Sequence, residues 1–201
     1  QLAQEQDPIL VIAPADQTIQ NPVAFTKALQ DCIAVVETNE PNIAILGITP
    51  TAPETGYGYI KRQGSKGINQ EYLVEKFVEK PDKKTAAEYL ADGNYLWNSG
   101  MFCFTAGTIL QAFKDHSPEV LAAAEHVMQS VIVQKSSTTA ANITDLVSRF
   151  DAHAFGLQPD ISIDYAIMER ASNVTLVPAK FGWSDVGAWP AVALAHTADR
   201  S

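Results

Sequence analysis

The sequence predicts an α/β fold built on a mostly parallel sheet flanked by helices, and three observations carry that expectation. Two uninterrupted apolar runs, residues 9–13 and 43–48, have the character of strands covered on both faces, as in a parallel sheet. Between them Phe25, Ala28, Leu29, Cys32, Ile33 and Val36 recur at helical spacing. Beyond them, residues 57–80 turn more polar around turn-forming glycines, which marks a small strand-rich insertion. With 46% hydrophobic and 18% charged residues, the 201-residue chain can bury a real core, so a single domain over residues 1–201 is expected.

Pro14 closes the first strand. Asn21 followed by Pro22 makes an N-cap and a first helical position, and the helix they open ends near Thr38. Strand, helix and the second strand over 43–48 form a βαβ unit with an expected right-handed crossover. Residues 59–62 and 71–78 read as edge or antiparallel strands joined by Gly64-Ser65-Lys66-Gly67. A short helix over 83–90 is capped by Asp82 and ended by Gly93. Residues 101–104 are strand-like, and a helical pattern resumes over 108–113. Ser117, before Pro118, caps a helix running toward Val133, with a small-polar loop over 135–141. Ser162 caps a helix through Arg170, residues 174–177 are a strand, and a loop over 182–187 leads into 188–195.

Composition excludes several classes of function. A net charge of −9, with Lys and Arg scattered singly, offers no footprint for nucleic acid. The longest apolar runs fall far below the ~20 residues needed to span a bilayer, so no membrane partner is expected. No secretory signal is visible, which makes the cytoplasm the default location. Cys32 and Cys103 lie in apolar patterns that fit two buried free thiols better than a bridge. His116, His126, His153 and His196 show no zinc-ligand spacing. The polar opening, without an initiator methionine, reads as a fragment or a trimmed chain.

Several residues could carry chemistry, each with a plainer alternative. Asp16 follows the first apolar run almost at once, which sets it at that strand's carboxyl end, where ligands sit in α/β sheets. A carboxylate there suits magnesium, while a turn or capping aspartate is the other reading. Asp185, between Gly182 and Gly187, is ambiguous in the same way. In Glu79-Lys80-Pro81, the lysine can neutralise a phosphate and the glutamate can accept from sugar hydroxyls, or the two form a solvated charge pair. Asn98 and Ser99 offer donors and acceptors, or a turn. Gly56 and Gly58 allow backbone amides to approach a ligand, or make a turn. Asp164 at a helix N-terminus is favoured by the helix dipole whatever else it does.

The order of the motifs is more specific than any one of them. Pro14-Ala15-Asp16, Thr55-Gly56-Tyr57-Gly58-Tyr59-Ile60, Phe77-Val78-Glu79-Lys80-Pro81, Trp97-Asn98-Ser99-Gly100-Met101-Phe102, Ser162-Ile163-Asp164-Tyr165-Ala166-Ile167-Met168-Glu169 and Gly182-Trp183-Ser184-Asp185-Val186-Gly187 follow one another along the chain. Together they resemble the bacterial mannose-1-phosphate guanylyltransferase family over nearly the whole chain. The resemblance implies a Rossmann-like nucleotide-diphospho-sugar transferase fold and transfer of a guanylyl group from GTP to mannose 1-phosphate. It also implies that Asp16 and Asp185 hold Mg2+ and, with Lys80, carry catalysis. Glu79 and Asn98 would bind mannose hydroxyls, Gly58 would contact the sugar through its backbone, Lys80 would meet the sugar phosphate, and Asp164 would lie beside the pocket.

The chain departs from the family's wording at several points. Gln17 stands where bacterial members commonly have histidine, and Ala188 and Pro190 differ after the last motif. The family's glycine-rich nucleotide loop is absent from these residues, as is the isomerase segment many members carry, so an N-terminally truncated domain beginning near the sheet's middle is expected. Two other readings stay open: a nucleotidyltransferase for glucose 1-phosphate with UTP or dTTP, and a non-catalytic sugar-phosphate-binding fragment. Assembly into a homo-oligomer is left open too.

Overall fold

The computed structural model describes residues 7–38, 40–68, 71–137 and 144–187. The chain opens with β1 (Ile9–Ile12) and β2 (Thr18–Ile19), then helix α1 (Pro22–Val36) and β3 (Ile43–Ile48). Asn21 caps α1 by accepting from the Ala24 amide at 3.0 Å, and Pro22 occupies its first turn. A hairpin of β4 (Tyr59–Gln63) and β5 (Tyr72–Val78) follows, then α2 (Lys83–Asp92). Asp82 caps α2 by accepting from the Thr85 amide, and Gly93 ends it at φ 74°, a conformation only glycine adopts without strain. The long β6 (Tyr95–Thr105) leads into α3 (Ala106–His116) and α4 (Pro118–Gln129). The chain then forms β7 (Ile132–Ser137), β8 (Thr144–Arg149), α5 (Ala152–Gly156), a π-helical turn (Asp164–Met168), β9 (Val174–Ala179) and β10 (Trp183–Ser184).

Six strands make the main sheet in the order β1-β6-β3-β9-β5-β4, and β6 also pairs with β4. Among the described pairings only β3–β9 is parallel; the other contacts in this sheet are antiparallel. The sheet is therefore mixed, which corrects the mostly parallel expectation. An uninterrupted apolar run reports burial on both faces and says nothing of the neighbour's direction. β1 and β3 do run the same way, but the returning β6 lies between them and opposes both. β1 is also an edge strand, with Leu10, Val11 and Ile12 37–46% exposed, contrary to the expected cover on both faces.

The central strands alternate between two cores, the period-2 signature of a sheet sandwiched by helices. Ile43, Ile45, Phe102, Phe104 and Leu176 pack with Ile109 of α3 and Met168 of the π-helical turn. Their neighbours Ala44, Leu46, Met101, Cys103 and Val177 pack with Cys32, Val35 and Val36 of α1. Each fully buried Ile or Leu contributes roughly 1.5–3 kcal/mol. The two cysteines are buried free thiols, as the sequence suggested, and burial pushes the Cys103 thiol up to about 11.

Other local expectations shift. Ser117 precedes α4 without capping it, because its buried hydroxyl donates to the Ala166 carbonyl at 3.1 Å. α4 stops at Gln129, and 132–137, expected as helix end and loop, pairs antiparallel with β8; the rest of the expected loop, 138–141, lies outside the described residues. The helix expected from Ser162 is a π-helical turn without a side-chain cap. Residues 188–195 lie outside the described residues.

Candidate functional site

β6 bends where the candidate residues gather. Its register against β3 shifts between the Ile45 and Gly47 pairings, and Gly100 takes φ 70° there. Upstream of the bend, Asn98 pairs with Gly47, and its amide donates to the Gly58 carbonyl at 2.8 Å. Downstream, β1 ends with Ile12 opposite Phe102, so Pro14 passes the bend; a Cβ on Gly100 would lie 3.3 Å from Pro14 Cγ. The bend thus brings the loop of Asp16 against the strand of Asn98.

On one side of the bend sit Gly58, Glu79, Asn98 and Asp164. Asn98 accepts from the Gly100 amide at 2.9 Å, which orients its side chain so that Nδ2 donates to Asp164 Oδ1 at 2.9 Å. Glu79 follows the end of β5, and its side chain is only 8% exposed. Oε1 meets Lys80 Nζ at 3.2 Å, while the buried Oε2 has no hydrogen-bond partner among the described residues. A Cβ on Gly58 would collide with that oxygen and lie 3.2 Å from Asn98 Cβ, so any other residue there forces the Glu79 carboxylate and Asn98 to shift. Burial raises both carboxyls above their ordinary values: desolvation, then the mutual charge of Asp164, for Glu79; desolvation against the Asn98 hydrogen bond for Asp164.

Lys80 adopts φ 46°, a left-handed conformation that costs a non-glycine residue roughly 1–2 kcal/mol. Glu169 helps hold it there by accepting from the Glu79 amide at 3.0 Å across 90 residues. The Lys80 side chain is 60% exposed, and its pairing with Glu79 raises its pKa.

On the other side lie Asp16 and Asp185. β2 and β10 pair antiparallel, with Thr18 opposite Ser184, so Asp16 and Asp185 flank neighbouring ends of one short ladder. Gln17 joins this side to the bend: Nε2 donates to the Ser99 carbonyl at 2.8 Å and lies 3.4 Å from Asp185 Oδ1, and Oε1 accepts from Trp183 Nε1 at 2.8 Å. Tyr57 packs edge-on against Trp97 and Trp183, with centroids 5.0 and 5.2 Å apart, and burial, then the charge of Asp185, holds its phenol above the usual range. Val186 sits at φ 52°, a strained conformation for a β-branched residue.

The structure brings all the sequence-predicted residues to the two flanks of one bend. Sequence reasoning missed Gln17, Glu169, Tyr57 and Trp183 as parts of the arrangement. Each lies in or beside a quoted motif, but their partners are up to 168 residues away and leave no local signal. A separate cavity of about 440 Å³, lined by Lys61, Arg62, Tyr72 and Glu75, opens at the far end of the β4–β5 hairpin. Its Lys61 is held by Glu75 at 2.7 Å, and Arg62 lies over the Tyr72 ring.

The family model described as Nucleotidyl transferase matches residues 1–201. The chain is 38% identical over 200 residues to the mannose-1-phosphate guanylyltransferase of Escherichia coli (strain K12), covering 97% of this chain and 39% of that protein. It is 40% identical over 183 residues to the xanthan biosynthesis protein XanB of Xanthomonas campestris pv. campestris (strain B100), covering 91% of this chain and 36% of that protein. Among solved structures, a Thermus thermophilus protein described as a mannose-1-phosphate geranyltransferase superimposes with a TM-score of 0.77 at 32% identity, over 98% of this chain and 52% of that one. The chain spans less than two fifths of the length of these two sequence relatives. No helix among the described residues is long and apolar enough to cross a membrane. The match of the family model over the full length of the sequence shows that this chain belongs to the nucleotidyl transferase family.

Proposed function

We propose that this chain forms the sugar-phosphate side of an enzyme that transfers a guanylyl group from GTP to mannose 1-phosphate, giving GDP-mannose and pyrophosphate. The observation that carries the reading is the buried Glu79 Oε2, which has no hydrogen-bond partner among the described residues and lies against Gly58. A buried carboxylate oxygen without a donor is costly, and a sugar hydroxyl is a donor of suitable size. The names of relatives about 40% identical, mannose-1-phosphate guanylyltransferases, support mannose 1-phosphate as acceptor and a guanylyl group as the group transferred.

The reaction joins a phosphate oxygen of mannose 1-phosphate to the α-phosphorus of GTP while the bond to the β-phosphate breaks and pyrophosphate leaves. That oxygen is already ionised at neutral pH, so no side chain needs to remove a proton. This chain's part is positioning and charge neutralisation. Glu79 and Asn98 accept and donate to sugar hydroxyls, Gly58 contributes its backbone, and Asp164 holds the Asn98 amide in orientation. Lys80 sets an ammonium against the sugar phosphate.

Asp16 and Asp185 fit a magnesium ion, since both offer hard carboxylate oxygens at neighbouring ends of the β2–β10 ladder, and Gln17 approaches only one oxygen of Asp185. When bound, magnesium supplies positive charge that stabilises the phosphate oxygens. The test is a product assay on the full-length protein with mannose 1-phosphate or glucose 1-phosphate and each of GTP, ATP, UTP and dTTP. GDP-mannose as the dominant product is expected, and a preference for glucose 1-phosphate with UTP or dTTP would overturn the assignment.

A further inference from the structure

We propose that Gln17 is the positioning residue that holds Asp185 in its cation-facing orientation, an inference that rests on the functional reading above. Its two-ended amide is oriented by chemistry. Indole Nε1 can only donate, so the Gln17 atom 2.8 Å from Trp183 Nε1 is the oxygen. The NH2 group then faces two acceptors, the Ser99 carbonyl at 2.8 Å and Asp185 Oδ1 at 3.4 Å. These three partners come from two segments, 82 and up to 168 residues away in sequence, so one side chain staples the Asp16 loop to the β6 bend and to the Asp185 loop.

The Asp185 loop needs such a staple. Val186 is strained at φ 52°, and the β2–β10 ladder that anchors the loop is only two residues long. Gly100, at φ 70°, lies beside the amide: a Cβ there would make an ordinary contact of 3.8 Å with Gln17 Nε2. A neutral N–H donor steadies one carboxylate oxygen without cancelling its charge, so the charge and the second oxygen stay available to a cation. Outer hydrogen bonds of this kind orient metal-binding side chains in metalloproteins generally.

The experiment titrates Mn2+ into the full-length protein and reads free metal by electron paramagnetic resonance, which requires no turnover. Gln17→Met keeps the volume and removes all three hydrogen bonds. It is expected to weaken Mn2+ binding about tenfold, the loss appropriate to one or two modest hydrogen bonds, while the KM for mannose 1-phosphate stays within about twofold. Trp183→Phe keeps an aromatic ring but removes the Nε1 donor and frees the Gln17 amide to turn, with an expected loss of about two- to threefold. Thermal melts of both variants show whether the fold is retained. Unchanged Mn2+ affinity in a folded Gln17→Met protein overturns the positioning role alone. Absence of any tight Mn2+ site in the unmutated protein overturns the metal reading, and the role of Gln17 with it.

Discussion

The two flanks of the β6 bend are built on different principles. The proposed sugar flank is part of the main sheet: Asn98 is inside β6, Gly58 and Glu79 adjoin β4 and β5, and the Glu79 side chain is nearly fully buried. The proposed cation flank hangs on a two-residue ladder and on the side chain of Gln17, with Asp16 exposed. A sheet provides rigidity but strips water from its carboxylates, so the sugar flank stores an electrostatic cost. Loops leave carboxylates hydrated and free to take a strongly hydrated ion, but need side-chain staples to hold shape. Loss of function should therefore be accompanied by a stability change on one flank and not on the other.

The largest effect is expected on the cation flank. Asp185→Ala in the full-length enzyme should lower kcat by a factor on the order of 100 or more, with a melting temperature close to that of the unmutated protein, measured by steady-state assay and thermal melt. An activity that responds to magnesium as before would break the contrast at its strongest point.

Gly58→Ala comes next, and it should damage the sugar flank in both respects. The added methyl runs into Glu79 Oε2 and crowds Asn98. A loss of roughly 1–3 kcal/mol of stability should accompany a several-fold higher KM for mannose 1-phosphate.

Glu79→Gln should separate function from stability. Glu79 and Asp164 bind protons more readily folded than unfolded, because burial raises both carboxyls. The native state then holds more protons than the unfolded chain above the ordinary values of 4.5 and 3.8, and stability falls as pH rises through the window between ordinary and raised values. Removing the Glu79 charge should flatten part of that fall and raise the melting temperature of the ligand-free protein at pH 7, while sugar-phosphate binding weakens. A melting temperature lower at pH 7 than that of the unmutated protein would contradict the stored cost.

The smallest effect is at Lys80. Lys80→Ala should raise the KM for mannose 1-phosphate about two- to threefold with only a modest change in stability, because the Lys80 end of its pair with Glu79 is 60% exposed. Lys80→Gly should lose the same affinity yet be more stable than Lys80→Ala by about 1 kcal/mol, since glycine accepts φ 46° without strain.

How much of this was legible beforehand follows from the range of the interactions. Caps at Asn21, Asp82 and Gly93 were readable because their chemistry is complete within four residues. The buried character of 43–48 was readable because both faces of β3 are apolar. Strand direction was not, since β6 reaches its place between β1 and β3 from residues 95–105. The β7–β8 pairing was hidden because its polar stretch is paired through backbone groups, which any side chain allows. Ser117 carries a capping pattern, but a tertiary acceptor, the Ala166 carbonyl, claimed its hydroxyl. At the site, the candidate acids and amides stood out through their motifs, whereas Gln17 and Glu169 act through partners 82 to 168 residues distant.

The central claim, a hexose-phosphate pocket built around the buried carboxylate of Glu79, is tested most directly by calorimetric titration of mannose 1-phosphate into the full-length protein and its Glu79→Gln variant. The account predicts one binding site, weakened about tenfold or more by a substitution that leaves the fold intact. Equal affinity in the two proteins would contradict it.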